Sequence, residues 1–205
     1  MTVKAEFHYD FGSPNAYFAH RVIPGIEKRT GVRFTYVPVL LGGVFKLTNN
    51  QPPMVAFKDV KNKQAYQRRE IERFIKRHGL TSFKMNPNFP VNTVQIMRGA
   101  IAAEMDGIAH KYIEAVFRCM WEEGRKMDDP AVIRASLDQA GIDGARILAR
   151  IQEQEVKDKL LKNTEGSVAR GTFGAPTFFI GEEMFFGKDR LREVEEEIEA
   201  AKRRG

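Results

Sequence analysis

Strand-like alternation occurs only near the two ends of this chain; the long stretch from Leu41 to Gly171 follows a helical period and holds no convincing strand. Lys4 to Phe11 sets Ala5, Phe7, Tyr9 and Phe11 against Lys4, Glu6, His8 and Asp10, the pattern of a strand with one buried face. Gly12-Ser13-Pro14 then reads as a turn into a helix. Ser13 can cap free N–H groups there, and Pro14 suits the first helical position because its missing N–H would be unpaired anyway. The helix should run to about Arg29 and stop at Gly31. Val32, Phe34, Tyr36, Val37 and Val39 form a second β-rich segment, completing a β-α-β unit with parallel strands and a right-handed crossover.

Within the middle stretch, Tyr66 to Arg77 is expected to bury Tyr66, Ile71, Phe74 and Ile75, and Val94 to Ile108 to bury Val94, Met97, Ile101, Met105 and Ile108. Lys111 to Glu123 reads as another helix, Asp129-Pro130 opens one that ends before Gly141, and Asp143 and the Val156 to Thr164 segment complete a block of five or six. Alternation returns at Pro176 to Ile180, with Gly181-Glu182 as a turn and Glu183 to Phe186 as the second arm of a hairpin. After Gly187, Asp189 can cap a last helix carrying Leu191, Val194 and Ile198. Setting the helical block aside leaves β-α-β-β-α, the thioredoxin-like arrangement. The expected fold is therefore α/β, with residues 1–40 and 172–205 forming a thioredoxin-like domain and residues 41–171 an inserted helical domain.

Composition narrows the chemistry. With 205 residues, 42% of them hydrophobic and 15 of them Phe, the chain can fill a core, which excludes global disorder. Its single cysteine, Cys119, excludes an intramolecular disulfide, a Cys-x-x-Cys pair and a thiolate-cluster zinc site, and its mid-helix position beside Phe117, Met120 and Trp121 suits a buried thiol. His8, His20, His78 and His110 show no metal-ligand spacing, so no metal is expected. No run reaches the ~18 apolar residues of a membrane span, and the start lacks the apolar block of a signal peptide, so a soluble, cytoplasmic protein is expected. The formal charge is +6, and Lys58 to Arg77 holds eight Lys or Arg against Asp59, Glu70 and Glu72. This face suits anionic ligands; a nucleic-acid role is disfavoured because no binding motif and no interleaved stacking aromatics accompany it.

Two separated motifs carry a family resemblance. Tyr9-Asp10-Phe11-Gly12-Ser13-Pro14-Asn15-Ala16-Tyr17 resembles the Phe-x-Ser-Pro-x-x-Tyr segment of 2-hydroxychromene-2-carboxylate isomerases and kappa-class glutathione transferases. Phe173-Gly174-Ala175-Pro176-Thr177, followed by Gly187-Lys188-Asp189-Arg190-Leu191, resembles their Phe-Gly-x-Pro-Thr and Gly-x-Asp-Arg-Leu segments. Trp121-Glu122-Glu123-Gly124 is also similar, so the resemblance spans nearly the whole chain. Where a thioredoxin-like redox protein carries Cys-x-x-Cys, this chain reads Ser13-Pro14-Asn15-Ala16. Both sulfurs are missing, which disfavours a DsbA-like oxidoreductase, yet a helix start can still stabilise an anion.

The resemblance implies that the missing thiol comes with a ligand. Ser13, otherwise an ordinary helix cap, would donate a hydrogen bond to the glutathione sulfur and favour its thiolate. Ala175 would offer its backbone to the cysteinyl part, and Pro176, otherwise simply the start of a strand, would follow a cis bond. Asp189, a cap by position, would also meet the γ-glutamyl end. Lys188 departs from the small polar residue of the family and could favour the γ-glutamyl carboxylate. Asn50 and Lys63 match an Asn-containing loop and a lysine that meets the glycine carboxylate, although Lys63 also reads as a solvated side chain. Tyr17, Phe45 and Trp121 are candidates for the border of an aromatic pocket. The implied activity is glutathione-dependent isomerisation of a small aromatic or conjugated electrophile in aromatic hydrocarbon catabolism, by a homodimer; glutathione transfer or peroxide reduction of the kappa type is the alternative.

Overall fold

The computed structural model describes residues 3–204. Strands β1 (Ala5–Tyr9), β2 (Phe34–Pro38), β3 (Thr177–Ile180) and β4 (Glu183–Phe186) form one sheet in the order β2-β1-β3-β4. β1 is parallel to β2, with Phe7 opposite Tyr36, and antiparallel to β3, with Phe7 opposite Phe178. The β3–β4 hairpin places Phe178 opposite Phe185. The two ends of the chain thus meet at the middle of a mixed sheet, and the thioredoxin-like expectation holds.

A parallel pair needs a crossover, which helix α1 (Pro14–Thr30) provides. Ser13 is extended, and its hydroxyl accepts the Ala16 N–H; at the far end Gly31 takes a left-handed conformation at φ 72° and returns its N–H to Glu27 O. The positive φ explains the glycine there.

Between β2 and β3 lie α2 (Leu41–Thr48), α3 (Pro53–Ala56), α4 (Lys63–His78), α5 (Val94–Met105), α6 (Ala109–Trp121), α7 (Pro130–Gln139), α8 (Gly144–Arg150) and α9 (Gln154–Ala169). A 3₁₀ turn (Lys188–Arg190) leads into α10 (Leu191–Arg204). The block is longer than the expected five or six helices because α2 and α3 are too short to display a helical period. Asp129 and Asp143 cap α7 and α8 as expected. Among the described residues, no helix is long and apolar enough to cross a membrane.

A continuous core joins the sheet to α1, α5, α6 and α10. Three expectations change here. β1 is buried on both faces: Glu6, His8 and Asp10 point away from Phe7 and Tyr9 yet are covered, because α9 brings Arg170 to Glu6 at 2.6 Å and Ser167 to His8 at 2.8 Å. Alternation here separates an aromatic layer from a paired polar layer, not core from solvent. In α4, Phe74 alone is buried; Tyr66, expected inside, is 56% exposed, because the first turns of the helix stand clear of the core. Trp121 and Tyr17, expected at the border of a pocket, are buried in the core. The Trp121 indole donates to Phe11 O at 2.8 Å and the Tyr17 hydroxyl to Glu122 at 2.9 Å, which satisfies both polar tips inside the core.

Candidate functional site

The turn between β1 and α1 is held at every step. Phe11 N–H points at the Met97 sulfur at 3.4 Å, Phe11 O accepts from Trp121, Gly12 N–H donates to Asp10 Oδ1 at 2.8 Å, and Ser13 N–H donates to Asp10 O at 3.1 Å. A Cβ on Gly12 would come within 3.1 Å of Thr93 Cγ2, so glycine permits this close approach. The result is a Ser13 hydroxyl fixed at the first turn of a 17-residue helix.

From there Ser13 reaches across the molecule. Its Oγ accepts the Ala16 N–H at 3.2 Å and donates to the Ala175 carbonyl at 3.0 Å. The Ala175-Pro176 bond is cis, as the resemblance implied. Pro176 O accepts the Gly187 N–H at 2.9 Å, which draws the following Lys188 and Asp189 beside the same loop. Asn50, at the end of α2, donates through Nδ2 to Phe173 O at 2.9 Å, two residues before Ala175. Hydrogen bonds from Ser13 and Asn50 therefore meet the same loop, at Ala175 and Phe173, just before Pro176.

Lys63 begins α4, is exposed, and sets its Nζ over the Phe57 ring at 5.0 Å; no hydrogen bond ties it to Ser13 or Ala175 among the described residues. Lys188 is buried at 4% exposure, with Nζ 2.5 Å from Asp189 Oδ1 and 4.8 Å above the Phe74 ring. Asp189 does not cap the final helix. It lies inside the 3₁₀ turn, where its carboxylate turns to the Lys188 ammonium instead of a backbone N–H, and its side chain is 67% exposed. The covalent neighbour with the long, folded-back side chain wins that carboxylate.

Phe173 and Phe186 pack against each other beside this loop, ring centroids 4.5 Å apart and tilted by 44°, each about two-fifths exposed. A Cβ on Gly174 would meet the Phe186 ring at 2.8 Å, so the pair depends on glycine there. Phe45 is half-buried. An apolar surface thus adjoins the Ser13 junction from the Phe173 side.

Reading the sequence overlooked Asp10 and Thr93. Asp10 is 1% exposed: Oδ1 accepts from Gly12 N–H, while Oδ2 accepts from Leu41 N–H at 2.8 Å and from the Thr93 hydroxyl at 3.1 Å. Burial raises its pKa, and those three donors oppose the rise. The available signal was an acid at the end of an otherwise aromatic strand, three residues before Ser13. Among the described residues, no three His, Cys, Asp or Glu side chains gather as a metal site, and burial raises the Cys119 pKa.

Residues 4–199 match the DsbA-like thioredoxin domain. This chain belongs to that family. Relatives from this DsbA-like group include 2-hydroxychromene-2-carboxylate isomerase of Pseudomonas putida, 25% identical over 91% of this chain and 89% of its own length. Glutathione S-transferase kappa 1 of Rattus norvegicus is 26% identical, covering 91% of this chain and 86% of the rat protein. Among solved structures, a 2-hydroxychromene-2-carboxylate isomerase superposes with a TM-score of 0.81 at 24% identity, over 98% of this chain and 96% of that one. A probable DsbA oxidoreductase of Streptomyces coelicolor gives 0.75 at 14% identity, over 97% and 89% of the two chains. The DsbA-like frame is shared with redox proteins, while this chain carries Ser13 and Ala16 where a dithiol would stand.

Proposed function

We propose that this DsbA-like protein is a glutathione-dependent isomerase of the 2-hydroxychromene-2-carboxylate type, acting in the cytoplasm as a homodimer on a small conjugated electrophile. The observation that carries the reading is the Ser13 hydroxyl at the start of α1, 3.0 Å from the carbonyl beside cis-Pro176. The isomerases and the kappa-class transferase among its relatives support it.

The residues present fit such a ligand. A hydroxyl on a helix N-terminus suits an anion, and Lys188 and Asp189 offer charges of both signs to a zwitterionic γ-glutamyl end. Bound glutathione supplies a thiolate that adds reversibly to a conjugated system, so the protein needs no nucleophilic cysteine of its own. Ser13 exchanges its bond to Ala175 O for a charge-assisted bond to sulfur by rotating its hydroxyl. Lowering a thiol pKa by about two units takes roughly 2.7 kcal/mol, which one charge-assisted bond of about 1.5–3 kcal/mol and a helix end of about 0.3–1 kcal/mol can supply. The freed Ala175 carbonyl becomes available to the ligand backbone. Asn50 holds the Phe173 side of the loop, Lys63 meets the terminal carboxylate, and the Phe173–Phe186 pair offers an apolar wall to the electrophile.

The test is an absorbance assay of isomerisation with and without glutathione, beside a conjugation assay. Glutathione-dependent isomerisation supports the proposal. Conjugation without isomerisation moves the assignment to the kappa-type alternative, and no calorimetric binding at millimolar glutathione overturns both.

A further inference from the structure

We infer that Asp10 is a positioning residue whose buried negative charge limits how far the Ser13 junction ionises a bound thiol. The inference rests on the glutathione reading above, and no motif used for that reading assigns Asp10 a role.

Asp10 Oδ2 accepts the Leu41 N–H, the first helical N–H of α2, whose own cap residue, Leu40, makes no side-chain capping bond. The same oxygen accepts the hydroxyl of Thr93, the residue before α5, which also makes no capping bond to its own helix. Oδ1 accepts from Gly12, one residue before Ser13. One carboxylate thus gathers the starts of α2 and α5 and the turn that presents the start of α1. A helix N-terminal N–H from α2, the hydroxyl of the residue before α5 and a turn N–H before α1 converge on it.

The chemistry of the partners favours the charged form. Three donors converge on the two oxygens and occupy three of the carboxylate's roughly four lone-pair sites. No Lys, Arg or His side chain forms an ion pair with Asp10 among the described residues; α1, α2 and α5 present Ser13, Leu41 and Thr93, and the titratable side chains nearest along β1 are Tyr9 and His8. A buried carboxylate compensated by dipoles alone keeps its field, because no neighbouring cation cancels it. Its position three residues before Ser13 sets that field against any thiolate Ser13 receives. Asp10 therefore does two linked things: it holds the junction that favours the thiolate, and it opposes the thiolate through charge.

These contributions separate on substitution. Asp10→Asn preserves the shape, keeps an oxygen for one of the donors, and removes the charge. The ultraviolet absorbance of bound glutathione thiolate, followed against pH, should then show a midpoint about one pH unit lower than in the unaltered protein, about tenfold in ionisation constant. Asp10→Glu keeps the charge and should stay near the unaltered midpoint. Ser13→Ala should raise it. A merely structural Asp10 predicts the opposite for Asp10→Asn, since a loosened junction behaves like loss of Ser13. A midpoint unmoved or raised in Asp10→Asn overturns the inference alone, whereas no binding of glutathione to the unaltered protein overturns the functional reading and this inference with it.

Should Asp10→Asn fail to fold, the unaltered protein gives the same answer. The ¹³C carboxyl signal of Asp10 is titrated with S-methylglutathione bound and again with the selenol analogue of glutathione, which ionises well below the range of the thiol. Coupling between the two charges raises the Asp10 midpoint in the selenolate complex. Equal midpoints in the two complexes overturn the inference.

Discussion

The turn after β1 and the segment from Gln51 to Tyr66 both contribute to the proposed site, yet they are built in opposite ways. Around the turn, each backbone N–H from Phe11 to Ser13 has a partner and the side chains of Asp10 and Ser13 are buried. From Gln51 to Tyr66 every residue is exposed, including Met54, Val55, Phe57 and Val60, and α4 is anchored through Phe74. A site assembled this way has one rigid wall and one wall with little of its own packing. The thiol-activating group belongs on the first, where a small misplacement of a donor costs most. Groups that only meet the charged ends of a ligand can sit on the second.

The sharpest test of that contrast is Phe74→Ala. Phe74 packs on Phe18 and lies under the Lys188 ammonium, so its loss removes the tie of α4 to both α1 and the 3₁₀ turn. Truncating a buried Phe costs about 3–5 kcal/mol. Hydrogen exchange should show the loss chiefly as faster exchange in residues 63–78, with β1 and α1 little changed. Uniform loss of protection across the molecule would show that the two walls are one cooperative unit.

A second test separates the polar layer of β1 from the turn that follows it. His8 is buried, with its pKa lowered to about 4; the main cause is burial. Nδ1 faces Ser167, which donates onward to Thr172 at 2.7 Å, and Nε2 has no partner among the described residues, so a second ring proton would have no acceptor. The unfolded chain, with an ordinary His pKa of about 6.5, binds the proton more tightly. The stability held above about pH 6.5 is therefore lost as pH falls towards 4, by about 3 kcal/mol in total. Asp10 works with the opposite sign, because its raised pKa removes stability as pH rises through it. Denaturation midpoints measured between pH 4 and 7 should fall on the acid side, and His8→Gln should flatten that slope. An unchanged slope in the variant would assign the acid loss to other groups.

Ser13→Ala comes next in size. It removes the cap on Ala16 and the bond to Ala175, for about 1–2 kcal/mol by chemical denaturation. A loss within about 0.5 kcal/mol would mean that the junction stands without the hydroxyl.

How far the sequence exposed this architecture follows the same division. The sheet, the caps at Ser13, Asp129 and Asp143, and the hairpin were readable because each is a local pattern: period two, a capping side chain before Pro or Gly, a two-residue turn. The role of Asp10 was hidden because its partners, Leu41 and Thr93, are distant in sequence and brought together only by the fold. Tyr66 was misplaced for the converse reason. A helical period shows which residues share a face, but only a neighbouring element decides whether that face is covered, and Tyr66 at the start of α4 stays exposed. Asp189 satisfied the composition of a cap, yet Lys188 beside it offered a stronger partner.

The smallest expected effect tests the loose wall directly. Lys63→Ala removes an exposed side chain whose one described contact is the Phe57 ring, so stability should change by less than about 0.5 kcal/mol. Glutathione affinity, measured by calorimetry, should nevertheless fall about tenfold, the loss of one charge-assisted contact to a terminal carboxylate. The thiol midpoint should stay where it was, because Lys63 has no tie to the Ser13 junction. Affinity unchanged in this variant would remove Lys63 from the site and leave the rigid wall to bind the ligand alone. A moved thiol midpoint would contradict the contrast itself, since it would mean that the exposed segment closes far enough over Ser13 to act on the sulfur.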